Sequence, residues 1–213
     1  MQTVINLHPK RSGIAVRRSL LLILIVTGLC NGLRAQEFSF GLKAGANFSN
    51  FTGGNFQQVQ KSTLVGFMGG AYLGFLFGDH FSLQPEALFS TEGARLDNGL
   101  GSGKQDYTVH YVTVPVMLKY RFTGGFYVEI GPQVGFRVSQ STPDNTINNF
   151  AKSLDLSADG GIGYQSPMGL GIGARYTAGL SNVGNFNSSN INPNFKNGVA
   201  QVFLFFNIFN NKK

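Results

Sequence analysis

The chain has 213 residues, of which only 13% are charged, about half the usual share, while 29 are Gly and 20 are Phe. That balance excludes an ordinary solvated surface, and the length is that of a single domain. The net charge of +7 does not argue for nucleic acid, because five of the 17 basic residues and none of the ten acidic ones lie in residues 1–35, leaving +2 on the rest.

Residues 1–35 read as a secretory signal peptide. Lys10, Arg11, Arg17 and Arg18 precede the apolar run LLLILIVTGL at 20–29, which is short of the ~20 residues that a transmembrane helix requires. Cleavage is expected between Ala35 and Gln36. Cys30, the only cysteine, follows Leu29 where lipoprotein processing favours a small residue, so lipid attachment is not expected. The remaining chain then has no cysteine for a disulfide or a thiol nucleophile.

From residue 36 onward, apolar and small or polar residues alternate with period two, which predicts strands with two chemically different faces. Eight runs are expected: Phe38 to Phe48, Leu64 to Phe77, His80 to Gly93, Tyr107 to Phe122, Gly125 to Val138, Ser153 to Gln165, Met168 to Leu180 and Gly198 to Phe209. Each suffices for a tilted transmembrane strand of about 9–11 residues. In the third run Phe81, Leu83, Pro85, Ala87 and Phe89 oppose Ser82, Gln84, Glu86, Leu88 and Ser90. The fourth sets Val112, Val114, Val116 and Leu118 against Thr113, Pro115, Met117 and Lys119, and the fifth sets Phe126, Val128, Ile130 and Phe136 against Tyr127, Glu129, Gly131 and Arg137. Tight turns at Gly78-Asp79, Thr123-Gly124 and Gln165 to Pro167 alternate with long polar loops at 49–63, 94–106, 139–152 and 181–197. Residues 36–213 are therefore expected to form an all-β, eight-stranded antiparallel up-and-down transmembrane β-barrel in a bacterial outer membrane, with the short turns periplasmic.

A soluble lipocalin-like barrel would place the apolar face inside. Eight strands enclose room for side chains or one small ligand, whereas the apolar face carries fifteen aromatics, among them Phe38, Phe67, Phe77, Phe89, Tyr120, Phe136, Tyr164 and Phe206. They cannot fit, so this face points to lipid. The opposite face is small, as at Gly66, Gly70 and Gly74 or Gly169, Gly171 and Gly173. Phe77, Phe81, Phe126 and Phe209 fall near strand ends, where an interfacial aromatic girdle belongs.

The same parity directs Lys43, Lys119, Arg121, Arg137 and Arg175 into the lumen together with Glu86, Glu92, Glu129, Asp155 and Asp159. Enclosed charges are costly unless paired, so a structural network of ion pairs plugging the barrel is expected in preference to a small-solute pore.

The segments FGLKAGANFSNF at 40–51, FSLQPEALFSTEGARL at 81–96, YVTVPVMLKY at 111–120, YVEIGPQVGF at 127–136 and DGGIGYQSPMGLGIGARYTAGLSNV at 159–183 resemble the PorT-like outer-membrane β-barrel, or porin-family, proteins of Bacteroidota. The resemblance covers residues 36–209. It implies a fold and a location but neither a catalytic site nor a fixed ligand; one family member serves in a secretion system. The NNKK that follows Phe209 departs from barrels that end on the aromatic itself.

No catalytic site is expected. A lipid A deacylase would place Ser two residues beyond a histidine such as His110, where Val112 stands; Asp106 with His110 is the nearest approach to a rim protease. GLGIGAR at 169–175 lies in mid-strand with no helix after it, so it is not a dinucleotide loop. Neither metal ligands nor a cofactor is expected. The expected partners are outer-membrane lipid and proteins met at the extracellular loops, including the Asn-rich 181–195, or in secretion machinery, with the chain as a monomer. Function is then a structural or interaction role; the alternative is an accessory role in secretion.

Overall fold

The alternation in the sequence becomes a closed antiparallel wall. The computed structural model describes residues 38–53, 60–97, 104–141, 152–182 and 195–211, which lie within one compact unit, Glu37–Lys213. The expectations for residues 1–35, and most of those for the four long loops, lie outside the described residues. The strands are β1 (Phe38–Gly53), β2 (Gln60–Ser62), β3 (Leu64–Phe77), β4 (Phe81–Asp97), β5 (Lys104–Arg121), β6 (Phe126–Ser141), β7 (Leu154–Gln165), β8 (Leu170–Gly179) and β9 (Phe195–Asn211). The sheet order is β2-β4-β3-β1-β9-β8-β7-β6-β5, with β4 also pairing β5. The last pairing closes a barrel of eight strands. β2 is not a ninth stave: Ser62 pairs with Arg95 of β4, and after a break at Thr63 the chain continues as β3.

Several strands are longer than the alternation suggests. β4 and β5 stay paired to Asp97↔Lys104, well past Gly93 and Tyr107, because main-chain pairing continues where the polar sequence TEGARLD no longer alternates. Chain direction reverses at Gly78, with φ 65°, and at Gly124, with φ 99°. At the last tight turn Gly169 takes φ 88°, and its N–H donates to the Ser166 carbonyl at 3.0 Å. Gly169 is therefore a turn residue, not a member of the lumen glycine row, and β8 begins at Leu170.

Burial follows the parity. Phe126, Ile130, Phe136, Leu118 and Phe206 are exposed on the outer face, while Tyr127, Glu129, Lys119 and Phe205 are buried inside. At the tight-turn end the outer aromatics form groups: Phe38 lies 5.7 Å from Phe75 and 6.2 Å from Phe209, Tyr120 lies 4.9 Å from both Phe81 and Phe122, and Phe126 lies 5.2 Å from Tyr164.

The lumen is not filled by small residues alone. Met68, Tyr72, Leu88, Tyr127, Phe203 and Phe205 form a buried cluster within it, and the Phe205 ring meets Tyr127 at 5.9 Å and Tyr72 at 6.0 Å, edge to face. Their room comes from glycine on facing strands. A Cβ on Gly171 would enter the Phe205 ring, and one on Gly173 would meet both the Tyr127 hydroxyl and the Phe203 ring. Overpacking of this kind costs about 1–3 kcal/mol. Gly171→Val is accordingly expected to lower the urea midpoint at which the folded gel band is lost, whereas Gly160→Val leaves it unchanged, since a Cβ there meets nothing within 4 Å.

Candidate functional site

Six strands each contribute one charged side chain to a single layer of the lumen: Lys43 from β1, Glu86 from β4, Lys119 from β5, Glu129 from β6, Asp159 from β7 and Arg175 from β8. Arg175 is the hub. Its Nη1 and Nη2 donate to the two oxygens of Glu86 at 3.1 and 2.9 Å, and its Nε donates to Glu129 Oε1 at 2.9 Å. Planar guanidinium geometry permits this double engagement, which an ammonium would not reproduce. Lys43 donates to Glu86 at 2.6 Å; Lys119 lies 3.6 Å from Glu129 and donates to Gln84, which itself donates to Glu86 at 2.7 Å.

Local sequence explains how these groups meet. On β7, Gly161 stands between Glu129 of β6 and Arg175 of β8 in the register. A side chain there would press on Glu129, since a Cβ would lie 3.1 Å from Oε1. The aromatic cluster closes the layer from the other side: Lys43 sits 4.3 Å from the Phe203 ring centroid and Lys119 4.1 Å from that of Tyr127. Such contacts favour desolvated cations.

Glu92 and Asp155 lie elsewhere, nearer the loops. Glu92 accepts from Ser90 Oγ at 2.8 Å and from Asn197 Nδ2 at 3.2 Å; Asp155 accepts from the same Asn197 nitrogen at 3.0 Å and from Ser181 Oγ at 2.7 Å. Among the described residues no basic side chain reaches either carboxylate within ion-pair distance. The expected network of ion pairs does not extend to these two carboxylates, which neutral amides and hydroxyls serve.

Arg121 and Arg137 also stand apart from the central layer, although both have inward parity. Each lies near a strand end, where a long side chain reaches more polar surroundings. Arg121 donates to Gln165 at 2.6 Å beside the tight turns, and Arg137 donates to Gln140 toward the loops. Asp106 is not joined to His110. It pairs with Arg95 through two hydrogen bonds at 2.5 and 2.9 Å, and this contact holds its carboxyl below the ordinary aspartate range. His110 instead lies 3.1 Å from Thr91 Oγ1 and stacks on Phe89. No group of three His, Cys, Asp or Glu with metal-ligand geometry occurs among the described residues.

Sequence reasoning missed Gln84, Asn47, Asn197 and Gln201 as lumen partners. Asn47 donates to Ser90 and to the Thr91 carbonyl while accepting from Gln201 at 3.2 Å. Inward parity on β1 would have marked Asn47, as it marked Gln84 on β4 without naming its partner; Asn197 was hidden in a segment read as loop.

Removing one partner of an enclosed ion network leaves the other charges unpaired and costs about 3–5 kcal/mol. Arg175→Met should therefore strongly lower the urea midpoint of the folded band. Arg95→Ala, which breaks a half-exposed pair, should leave that midpoint where it was.

The barrel resembles known outer-membrane structures. Neisserial surface protein A superposes with a TM-score of 0.53 at 13% identity, covering 79% of this chain and 97% of its own. The attachment invasion locus protein Ail of Yersinia pestis, solved with the heparin analogue sucrose octasulfate, gives 0.43 at 16%, covering 81% and 99%. OprG of Pseudomonas aeruginosa gives 0.44 at 12%, covering 81% and 96%. No curated protein matches the chain in sequence. Residues 34–185 match the family described as outer membrane protein beta-barrel domain, and this chain, an eight-stranded barrel of the outer membrane, belongs to that family.

Proposed function

We propose that the protein is a plugged outer-membrane barrel which acts through its extracellular loops, in a structural or interaction role, and carries out neither catalysis nor solute passage. The layer of Lys43, Glu86, Lys119, Glu129, Asp159 and Arg175, packed on Tyr72, Tyr127, Phe203 and Phe205, carries this reading, because all ten of these inward side chains are buried. An eight-stranded wall leaves little space beyond such a filling.

In this reading residues 1–35 are the export signal, in keeping with a compact unit that begins at Glu37. The tight turns face the periplasm and the long connections face outward, following the habit of such barrels. The protein acts as a monomer, without cofactor, with lipid around its apolar wall and protein partners at the loops.

The resemblance to PorT-like proteins of Bacteroidota supports a second reading, an accessory role in protein secretion. Co-purification of export components after crosslinking would favour that role over the stand-alone one. For the plugged lumen, the protein purified from outer membranes is expected to give no discrete, stable conductance steps in planar bilayers. Reproducible steps from the wild-type chain would overturn the plug.

A further inference from the structure

On the loop side of the ionic layer the lumen changes character. Among the buried charges of the described residues, five carboxylates (Glu86, Glu92, Glu129, Asp155 and Asp159) face three cations (Lys43, Lys119 and Arg175). The cations all belong to the lower layer, where they serve Glu86 and Glu129 and where Arg175 reaches Asp159 at 3.7 Å. Glu92 and Asp155, only 2% and 4% exposed, are left with neutral donors. A further base, Arg137, stands opposite Tyr111 in the register, and its guanidinium donates to Gln140.

Two enclosed carboxylates on one amide nitrogen repel each other and call for a counter-charge. A second observation indicates its kind. The Tyr111 hydroxyl, in a residue 1% exposed, makes no hydrogen bond at normal geometry, and its polar neighbours are Asp155, Glu92 and Asn197, with the Arg137 guanidinium more weakly felt. Ser157 Oγ, in a residue 3% exposed, likewise makes no hydrogen bond at normal geometry and lies beside Asp155. The spare capacity around the two carboxylates is thus oxygen, which is the donor set of a hard cation and not of a soft metal.

We infer that Glu92 and Asp155 bind a single hard cation of the calcium class, with the Tyr111 and Ser157 hydroxyls beside it. Among the described residues no third acidic ligand converges on the pair, so the site belongs with weak extracellular calcium sites, with dissociation constants on the order of 0.1–1 mM. Ser181, a half-buried residue just beyond the end of β8, borders the pair: its hydroxyl accepts from the Leu156 N–H and donates to Asp155. The site does not require that the lower layer block conduction.

Terbium provides the test, because tyrosine sensitises its luminescence and the chain has no tryptophan to compete. With the full protein purified from outer membranes into calcium-free detergent, terbium emission excited through tyrosine is expected to saturate and to be displaced by millimolar calcium. The double exchange Glu92→Gln with Asp155→Asn should weaken terbium binding at least tenfold while keeping heat-modifiable gel mobility; if that chain does not fold, Asp155→Asn alone carries the comparison. Asp79→Asn, at an exposed turn on the opposite end, should change nothing. Tyr111→Phe should dim the emission without abolishing calcium binding followed by thermal shift. Absence of saturable emission in the wild type, or emission unchanged by the Glu92 and Asp155 exchanges, would overturn the site; the latter would assign the metal to the exterior and the pair's neutralisation to protons.

Discussion

Main-chain closure governs everything else in this molecule. A wall with an apolar exterior in a membrane has no water to satisfy its N–H and C=O groups, so each strand must pair on both sides. β1 and β9 complete that condition along their whole length, from Phe38↔Asn211 to Gly53↔Phe195, with one irregularity between Phe40 and Gly41 that absorbs Ile208. Closing at eight strands also fixes a small radius, and every inward side chain must share the resulting space.

That shared space accounts for the inner composition. Aromatic rings of β9 lie where β8 offers Gly171 and Gly173, and Glu129 meets Arg175 across Gly161. Charge in such an interior adds little stability relative to a well-packed apolar filling. It does penalise other pairings heavily. A slip of one residue in β8 would move Arg175 from the lumen to the lipid-facing side and leave Glu86 and Glu129 short of their shared donor. The network thereby reinforces the register that the apolar pattern already favours.

The same contrast between faces determines what could be read in advance. Along β4, β5 and β6, small or polar residues alternate with large apolar ones, so sidedness and the inward charges were legible from parity. In β9 the run Val202, Phe203, Leu204, Phe205, Phe206 offers no contrast, so that Phe206 could be set on the apolar face while nothing marked Phe203 and Phe205 as lumen filling. β2 and the outer parts of β4 and β5 are held by main-chain pairing in polar sequence, which leaves no periodic trace. Parity also assigns a side chain to a face without saying which partner it finds there. For this reason Asp106 with Arg95, and Glu92 with Asp155 on Asn197, emerged only from the fold.

The two halves of the lumen consequently carry different obligations. Near the tight turns, Arg175, Lys43 and Lys119 form ion pairs with their carboxylates and the rings of Phe203, Phe205 and Tyr127 close around them, so a change there is felt first as lost stability. Near the loops, Glu92 and Asp155 hold negative charge that neutral groups solvate without cancelling, and Asp155 is connected through Ser181 to the chain leaving the barrel. The barrel thus separates a part that holds the register of the wall from a part whose carboxylates are tied, through Ser181, to the chain leaving β8.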